Sequence, residues 1–430
     1  MKLASATFLA LTSIASAQNA SNIISIPYEY TYLLPDGWSF NPNYTFVNST
    51  SVPTNSTTPY NTSTDSSINS LLSTAATKPF ISYDDSFLDI LEPNPTPELV
   101  AQASTFEFYE AAVWVPERNE VWFSTSAQQN SEIPGYVSVY SLETNSTYRL
   151  NGTKGGEVMY PNGGYYFKGK VYFTTFASNT TYRGGIVSVN VTSLEVETVL
   201  NSYFGLPFDG IDDLVWVKQG NKKYLYFSDF YYVNSAYPNI TTADSIPVKR
   251  PSLPAGVWRY DPQEGTVLQV IGRNEIEPNG IRVSPDQRYL YVTDNGNIQY
   301  GILNYAPPTG SGSVSWTGPY IYRYELDEEM YPTNRRLFGT VRLGIADGLH
   351  VDDDGNVWSA EYEGVVVRSP KGKILGVFNA EFFGAGFGKG GTPSAQFALA
   401  GDTFVYGDVE RVWIVKLGRE VVSRGSVIAN

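Results

Sequence analysis

The chain has 430 residues, a formal net charge of -14 and a pI near 4.6, and no basic cluster breaks that acidic balance. This argues against nucleic acid or an anionic membrane as a partner. It contains no cysteine, so disulfides, thiolate metal sites and thiol nucleophiles are excluded, and a soluble chain of this kind needs a large core.

From the N-terminus, Lys2 supplies a short positive region, Leu3 to Ile14 an apolar stretch, and Ala15-Ser16-Ala17 a small-residue cleavage site. Residues 1–17 therefore read as a secretory signal peptide, and the apolar run is shorter than the roughly 20 residues that span a bilayer. Secretion makes glycan sites of the Asn-x-Ser/Thr triplets at Asn19, Asn43, Asn48, Asn55, Asn61, Asn145, Asn151, Asn179, Asn190 and Asn239. Residues 18–78 are dominated by Asn, Ser, Thr, Pro and Tyr, with too little aliphatic surface to offset their ordering entropy. They predict a flexible, glycosylated arm before a folded domain over 79–430.

Within that domain one pattern recurs: an alternating apolar run, a polar turn, then a dense apolar strand ending in a small hydroxyl or acidic residue. The copies are VWVPERNEVWFST from Val113, YYFKGKVYFTT from Tyr165, LVWVKQGNKKYLYFSD from Leu214, IRVSPDQRYLYVTD from Ile281, LHVDDDGNVWSAE from Leu349 and FALAGDTFVYGD from Phe397. Each reads as a β-hairpin. A third strand follows each: GYVSVYSL, GGIVSVNV, AGVWRYD, PYIYRYEL, GVVVRSP and RVWIVKL. Six repeats of this unit predict an all-β, six-bladed β-propeller whose fourth strands are less patterned. Two insertions, Tyr231 to Pro254 and Leu303 to Pro319, fall between a hairpin and its following strand and predict loops on one face.

Just before the hairpins stand Glu110, Asn162, Asp212, Asn279, Asp347 and, less clearly, Ser394. The first strand of each propeller blade lines the central channel, so these residues converge into one polar ring. Three carboxylates at one level repel unless a cation lies between them. Calcium takes carboxylate, amide and water oxygens, whereas zinc is disfavoured by the lack of cysteine and the single histidine, His350. The bland reading of Asn279-Gly280 or Asp347-Gly348 taken singly is a turn before a strand. Alternation from Asp347 points His350 away from the ring and makes it structural.

EPNGIRVSPDQRYLYVTD and DGLHVDDDGNVWSAEYEGVVVRSPKGKILG resemble the family of gluconolactonases, regucalcin (senescence marker protein) and luciferin-regenerating enzyme. FISYDDSFLDIL, YEAAVWVPERNEVWFST and PNGGYYFKGKVYF are similar to its secreted fungal lactonohydrolase branch, and the resemblance runs from Phe80 to Leu417. It implies a propeller with one divalent metal, usually calcium, and hydrolysis of sugar-type or related small lactones. The metal residues it implies are Glu110, Asn279 and Asp347. Asp212-Asp213 stands where the family commonly has Asn-Asp, and Tyr109 where fungal relatives often have histidine. Asp212 then becomes a fourth ligand or the general base, Asp212 and Asp347 are the catalytic carboxylates, and Asn162 and Tyr109 hold the substrate. Two other readings use the same residues: a non-catalytic calcium-stabilised ligand-binding propeller, and a biosynthetic enzyme with a non-hydrolytic reaction. A Ser-His-Asp triad finds no Gly-x-Ser-x-Gly elbow, and FFGAGFGKGG lacks the features of a phosphate loop and reads as a flexible loop. Oligomeric state has no signature in the sequence.

Overall fold

A computed structural model describes residues 22–35, 65–125, 135–176, 184–208, 210–230, 253–272, 274–295, 319–384 and 395–423. The signal-peptide residues, Ser394 and the sequons at Asn19, Asn43, Asn48, Asn55, Asn61, Asn179 and Asn239 lie outside these residues, as do most of the two insertions. None of the described helices is long and apolar enough to cross a membrane.

The described strands form six sheets, each built outward from an inner strand and antiparallel except for one added strand in blade 5, and they are the six blades of a propeller. The inner strands are Glu110–Val115, Pro161–Phe167, Ile211–Gln219, Pro278–Val283, Ala346–Val351 and Phe397–Ala400, in blades 1 to 6. Each pairs with the second strand of its own predicted hairpin. Almost every inner-strand residue is buried, because both faces pack on neighbouring blades. The fourth strands of blades 1 and 4 are exposed: Ser146–Arg149 is open to solvent along its whole length, and Pro332–Thr340 over most of it. A strand with one wet face carries fewer apolar residues, which explains its weak sequence pattern.

Blade 6 is closed by a strand from the other end of the chain. Pro97–Gln102 pairs antiparallel with Arg411–Lys416, so the ring is sealed by hydrogen bonds between its first and last elements. Blade 5 is extended instead. Phe80–Ser82 adds to its outer strand Ile374–Asn379, and Ile23–Ser25 adds in parallel beyond that.

Segments of the arm region take part in this extension. Residues 22–35 and 65–78 are built onto blade 5 rather than trailing from it. Asp65 caps the helix Ser66–Ala75 by accepting from the Ser67 backbone N–H at 2.8 Å. Ile68, Leu72 and Ala75 bury one face of it on Ile24, Ile81, Val366 and Val377. At the other end the fully buried Asn379 amide donates to the carbonyls of Ala75, Ala76 and Lys78. A few well-placed apolar side chains, Ile24, Ile68 and Leu72 among them, give these segments a buried face that the average composition does not show. FFGAGFGKGG also begins with structure, since Ala380–Phe383 is a helical turn ended by Gly384 in the left-handed region, and 385–391 lie outside the described residues.

Candidate active site

The inner strands share one irregularity. In blades 1 to 5 the pairing with the second strand skips two residues, between Glu110 and Val113, Pro161 and Gly164, Ile211 and Leu214, Pro278 and Ile281, and Ala346 and Leu349. A bulge of this kind releases side chains from the sheet and re-aims them. In blades 2 to 5 the first skipped residue is Asn162, Asp212, Asn279 or Asp347, four of the ring positions read from sequence.

Glu110 departs from that equivalence. It stands one position earlier, in register with Pro161, Ile211, Pro278 and Ala346, and the skipped residues are Ala111 and Ala112, both at positive φ (64° and 44°). Even so, Glu110 reaches the same cluster, where it and Asn279 hydrogen-bond to Asp347.

The glycines after the ring residues are not turn formers. A Cβ on Gly163 would lie 2.3 Å from the Asp212 carbonyl oxygen, and one on Gly280 would lie 2.4 Å from that of Asp347. Each glycine is the gap into which the next blade fits. Hydroxyls on the second strands complete the joint: Thr174 donates to the Asp212 carbonyl at 2.7 Å, Ser228 to Asn279 at 2.5 Å and Thr293 to Asp347 at 3.1 Å. Blade 3 has Asp213 where its neighbours have glycine. Its carboxylate accepts from the Ile281 N–H at 3.2 Å and forms a buried ion pair with Arg282 at 2.5 Å. Blade 6 contributes Gln396, whose amide packs on Gly348, while Ser394 lies outside the described residues.

Within the cluster the Asn162 amide donates to the Asp212 carboxylate at 2.5 Å. Loss of water and the charges of Asp347, Asp212 and Asp213 hold the Glu110 carboxyl well above the usual carboxylate range. Asp347 is pushed up to about 7, by loss of water first and by Asp213 second, against hydrogen bonds from Asn279 and Glu110. The Tyr109 phenol is raised by burial and then by the charges of Glu110, Asp347 and Asp212. Tyr362, absent from the sequence reading, is raised to about 12 by burial and by Asp347. Its signal was the brevity of the Glu361–Gly364 corner in blade 5.

Among the described residues no group of three or more acidic, histidine or cysteine side chains is already gathered as a metal cage. The donors that do meet are carboxylates interleaved with amides, and one buried Asp347 oxygen has no hydrogen-bond partner. That set fits a hard cation with oxygen ligands. His350 does not join it. Its ring packs edge-on against Phe397 at 5.0 Å, and with Tyr165 and Arg282 it lines a separate cavity of about 30 Å³. Burial and the Arg282 charge hold its pKa well below the normal histidine value.

Known proteins give this geometry a context. Lactonohydrolase oryL of Aspergillus oryzae is 26% identical over 340 residues, covering 73% of this chain and 72% of that protein. The gluconolactonase of Zymomonas mobilis is 24% identical over 313 residues, covering 69% and 74%. Among solved structures, a gluconolactonase from Xanthomonas campestris aligns over 79% of this chain and 95% of its own, with a TM-score of 0.56 at 18% identity. The luciferin-regenerating enzyme aligns with a TM-score of 0.50 at 14% identity, over 76% and 97%. Both share the propeller fold. The profile described as the SMP-30/Gluconolactonase/LRE-like region matches residues 109–381, from Tyr109 of the cluster through blade 5, and the chain belongs to that family.

Proposed function

We propose that this protein is a secreted, metal-dependent lactone hydrolase that opens a sugar-type or related small lactone. The observation that carries the reading is the cluster itself: Glu110, Asn279 and Asp347, from blades 1, 4 and 5, share hydrogen bonds at the inner ends of their strands. The related lactonohydrolases and gluconolactonases support the reaction class.

Glu110, Asn279 and Asp347 would hold one divalent cation, most simply calcium. When bound, such an ion polarises the lactone carbonyl and stabilises the negative charge that develops on its oxygen. Asp212 takes the proton from the attacking water, held in place by the Asn162 amide and by Thr174 through its own carbonyl. Water adds to the carbonyl carbon, the ring C–O bond breaks, and the proton passes to the departing alkoxide to give a hydroxy acid. Asn162 and Tyr109 border the place the substrate must occupy.

Secretion rests on the leader-like first 17 residues, and glycan attachment on the sequons. Asn145 and Asn151 are exposed, and Asn145 and Asn190 stand at the turns between third and fourth strands of blades 1 and 2, on the outer rim.

The test is a pH-stat assay of purified protein on aldonolactones and other small lactones, with and without EDTA. Turnover that disappears on chelation and returns with calcium is the expected result. No turnover with metal present defeats the hydrolase reading, and turnover indifferent to thorough chelation defeats the metal.

A further inference from the structure

The cavity beside His350 has a regular origin in the chain. Tyr165, Arg282 and His350 each follow a ring residue, Asn162, Asn279 or Asp347, by three positions on the same inner strand. Trp114 takes the corresponding place in blade 1, four positions after the out-of-step Glu110. All four line one space of about 30 Å³, so the strands that carry the carboxylate ring also carry a second tier of polar side chains. Val422 and Ser423, at the end of the last described segment, line it too.

Arg282 reaches across two blades. From blade 4 its guanidinium donates to the Asp213 carboxylate at 2.5 Å and the Leu214 carbonyl at 3.3 Å in blade 3, and to the Gly164 carbonyl of blade 2 at 3.3 Å. Its Nε–H has no partner, although the residue is only 1% exposed. The centre of the Tyr165 ring lies 5.5 Å from the guanidinium carbon, and the buried hydroxyl of that ring is also without a partner. The Trp114 indole N–H, likewise shut off from solvent, is the third such group. His350, held neutral by burial and by Arg282, has one more N–H to give.

These groups act in one sense. An indole and a guanidinium only donate, and a phenol donates readily. The rest of the wall is largely apolar, from side chains such as Ala112, Ala398 and Leu399, and no residue lining the space is acidic. Buried donors without acceptors cost free energy, and packing gives no reason for several blades to bring them to one place. The volume of about 30 Å³ exceeds the roughly 10–15 Å³ that a single water needs. Water there could accept from two donors, but its own hydrogens would face aliphatic carbon. A spherical anion accepts from every side. Because Asp213 already balances the Arg282 charge, such an ion must be small and singly charged.

We propose that the propeller holds one small monovalent anion of chloride size, one tier along the inner strands from the carboxylate ring, bound by Trp114, Tyr165, Arg282 and His350. The site does not depend on the lactonase reading, since none of these four residues is assigned there to metal, base or substrate.

The experiment uses the whole protein and halides as probes. Crystals are grown in sodium bromide, and thermal unfolding is followed as chloride replaces isethionate, an anion too large for the cavity, at constant ionic strength. An anomalous bromide peak beside Tyr165 and Arg282 is expected. Tm should rise with chloride, because a ligand of the folded state alone stabilises it. In Tyr165→Phe the chloride concentration needed for a given rise in Tm should increase about tenfold, as for loss of one hydrogen bond to a charged group. Water alone in the cavity, with no anomalous peak, overturns the proposal, and so does a wild-type Tm that is the same in both salts. A Tyr165→Phe titration identical to that of wild type overturns it as well. Should Tyr165→Phe fail to fold, the two wild-type measurements still decide, and Trp114→Phe supplies the titration.

Discussion

The Asn162 amide of blade 2 donates to the Asp212 carboxylate of blade 3 at 2.5 Å, across the seam between two blades. This bond fixes the orientation of Asp212, the ring carboxylate proposed as the base. An asparagine at 212 offers the same shape but accepts no proton.

Asp212→Asn is therefore expected to lower kcat by about 10²- to 10⁴-fold, the range over which a positioned base acts. Calcium affinity measured by calorimetry should fall by much less than kcat. A variant that keeps its turnover but loses its metal would move Asp212 from base to ligand.

The raised carboxyls make stability depend on pH in a definite direction. Glu110 and Asp347 hold their protons more tightly when folded than when unfolded. Between roughly pH 4, where an unfolded carboxylate titrates, and the folded value near 7 for Asp347, the folded state binds more protons. Chelated protein should thus be most stable below pH 4 as far as these groups are concerned, and lose that contribution as pH rises through 7. Calorimetric melting at pH 5 and pH 8 should show a lower Tm at pH 8 with EDTA, and calcium should raise Tm more at pH 8. Asp347→Asn should weaken both effects, because cation binding needs the deprotonated form.

Asp213 and Arg282 are both almost completely buried, and they join blade 3 to blade 4. Replacing Arg282 with methionine strands a carboxylate next to Asp212, Glu110 and Asp347. A loss of about 3–5 kcal/mol in urea unfolding is expected, as for one partner removed from a buried pair. Asp213→Asn together with Arg282→Met should recover a large part of it. Equal stability of the single and double variants would show that the pair is not what holds the seam.

Much of this was legible in the chain. Strands with both faces buried repeat their pattern strongly, so six hairpins pointed to six blades. Asn162, Asp212, Asn279 and Asp347 were found because four bulges place them at one level. Glu110 also stands just before its hairpin, but one residue out of step, ahead of a bulge made by Ala111 and Ala112 in left-handed geometry. What stayed hidden depends on contacts between distant segments. Pro97–Gln102 is half-exposed and has no repeat to announce it, so its place in blade 6 follows only from closure. The arm looked disordered because composition averages over residues, whereas Ile68, Leu72 and Asn379 act individually.

The strand that closes blade 6 also imposes an order on biogenesis. Pro97–Gln102 leaves the ribosome before any blade exists, and its partner Arg411–Lys416 is made only after the strands of the other five blades. Throughout synthesis that segment must stay unpaired, an exposed sheet edge able to dock on the wrong strand or on another nascent chain. The hydrogen bonds that close the ring are thus among the most distant in sequence, and the toroid becomes topologically complete only once Arg411–Lys416 has emerged.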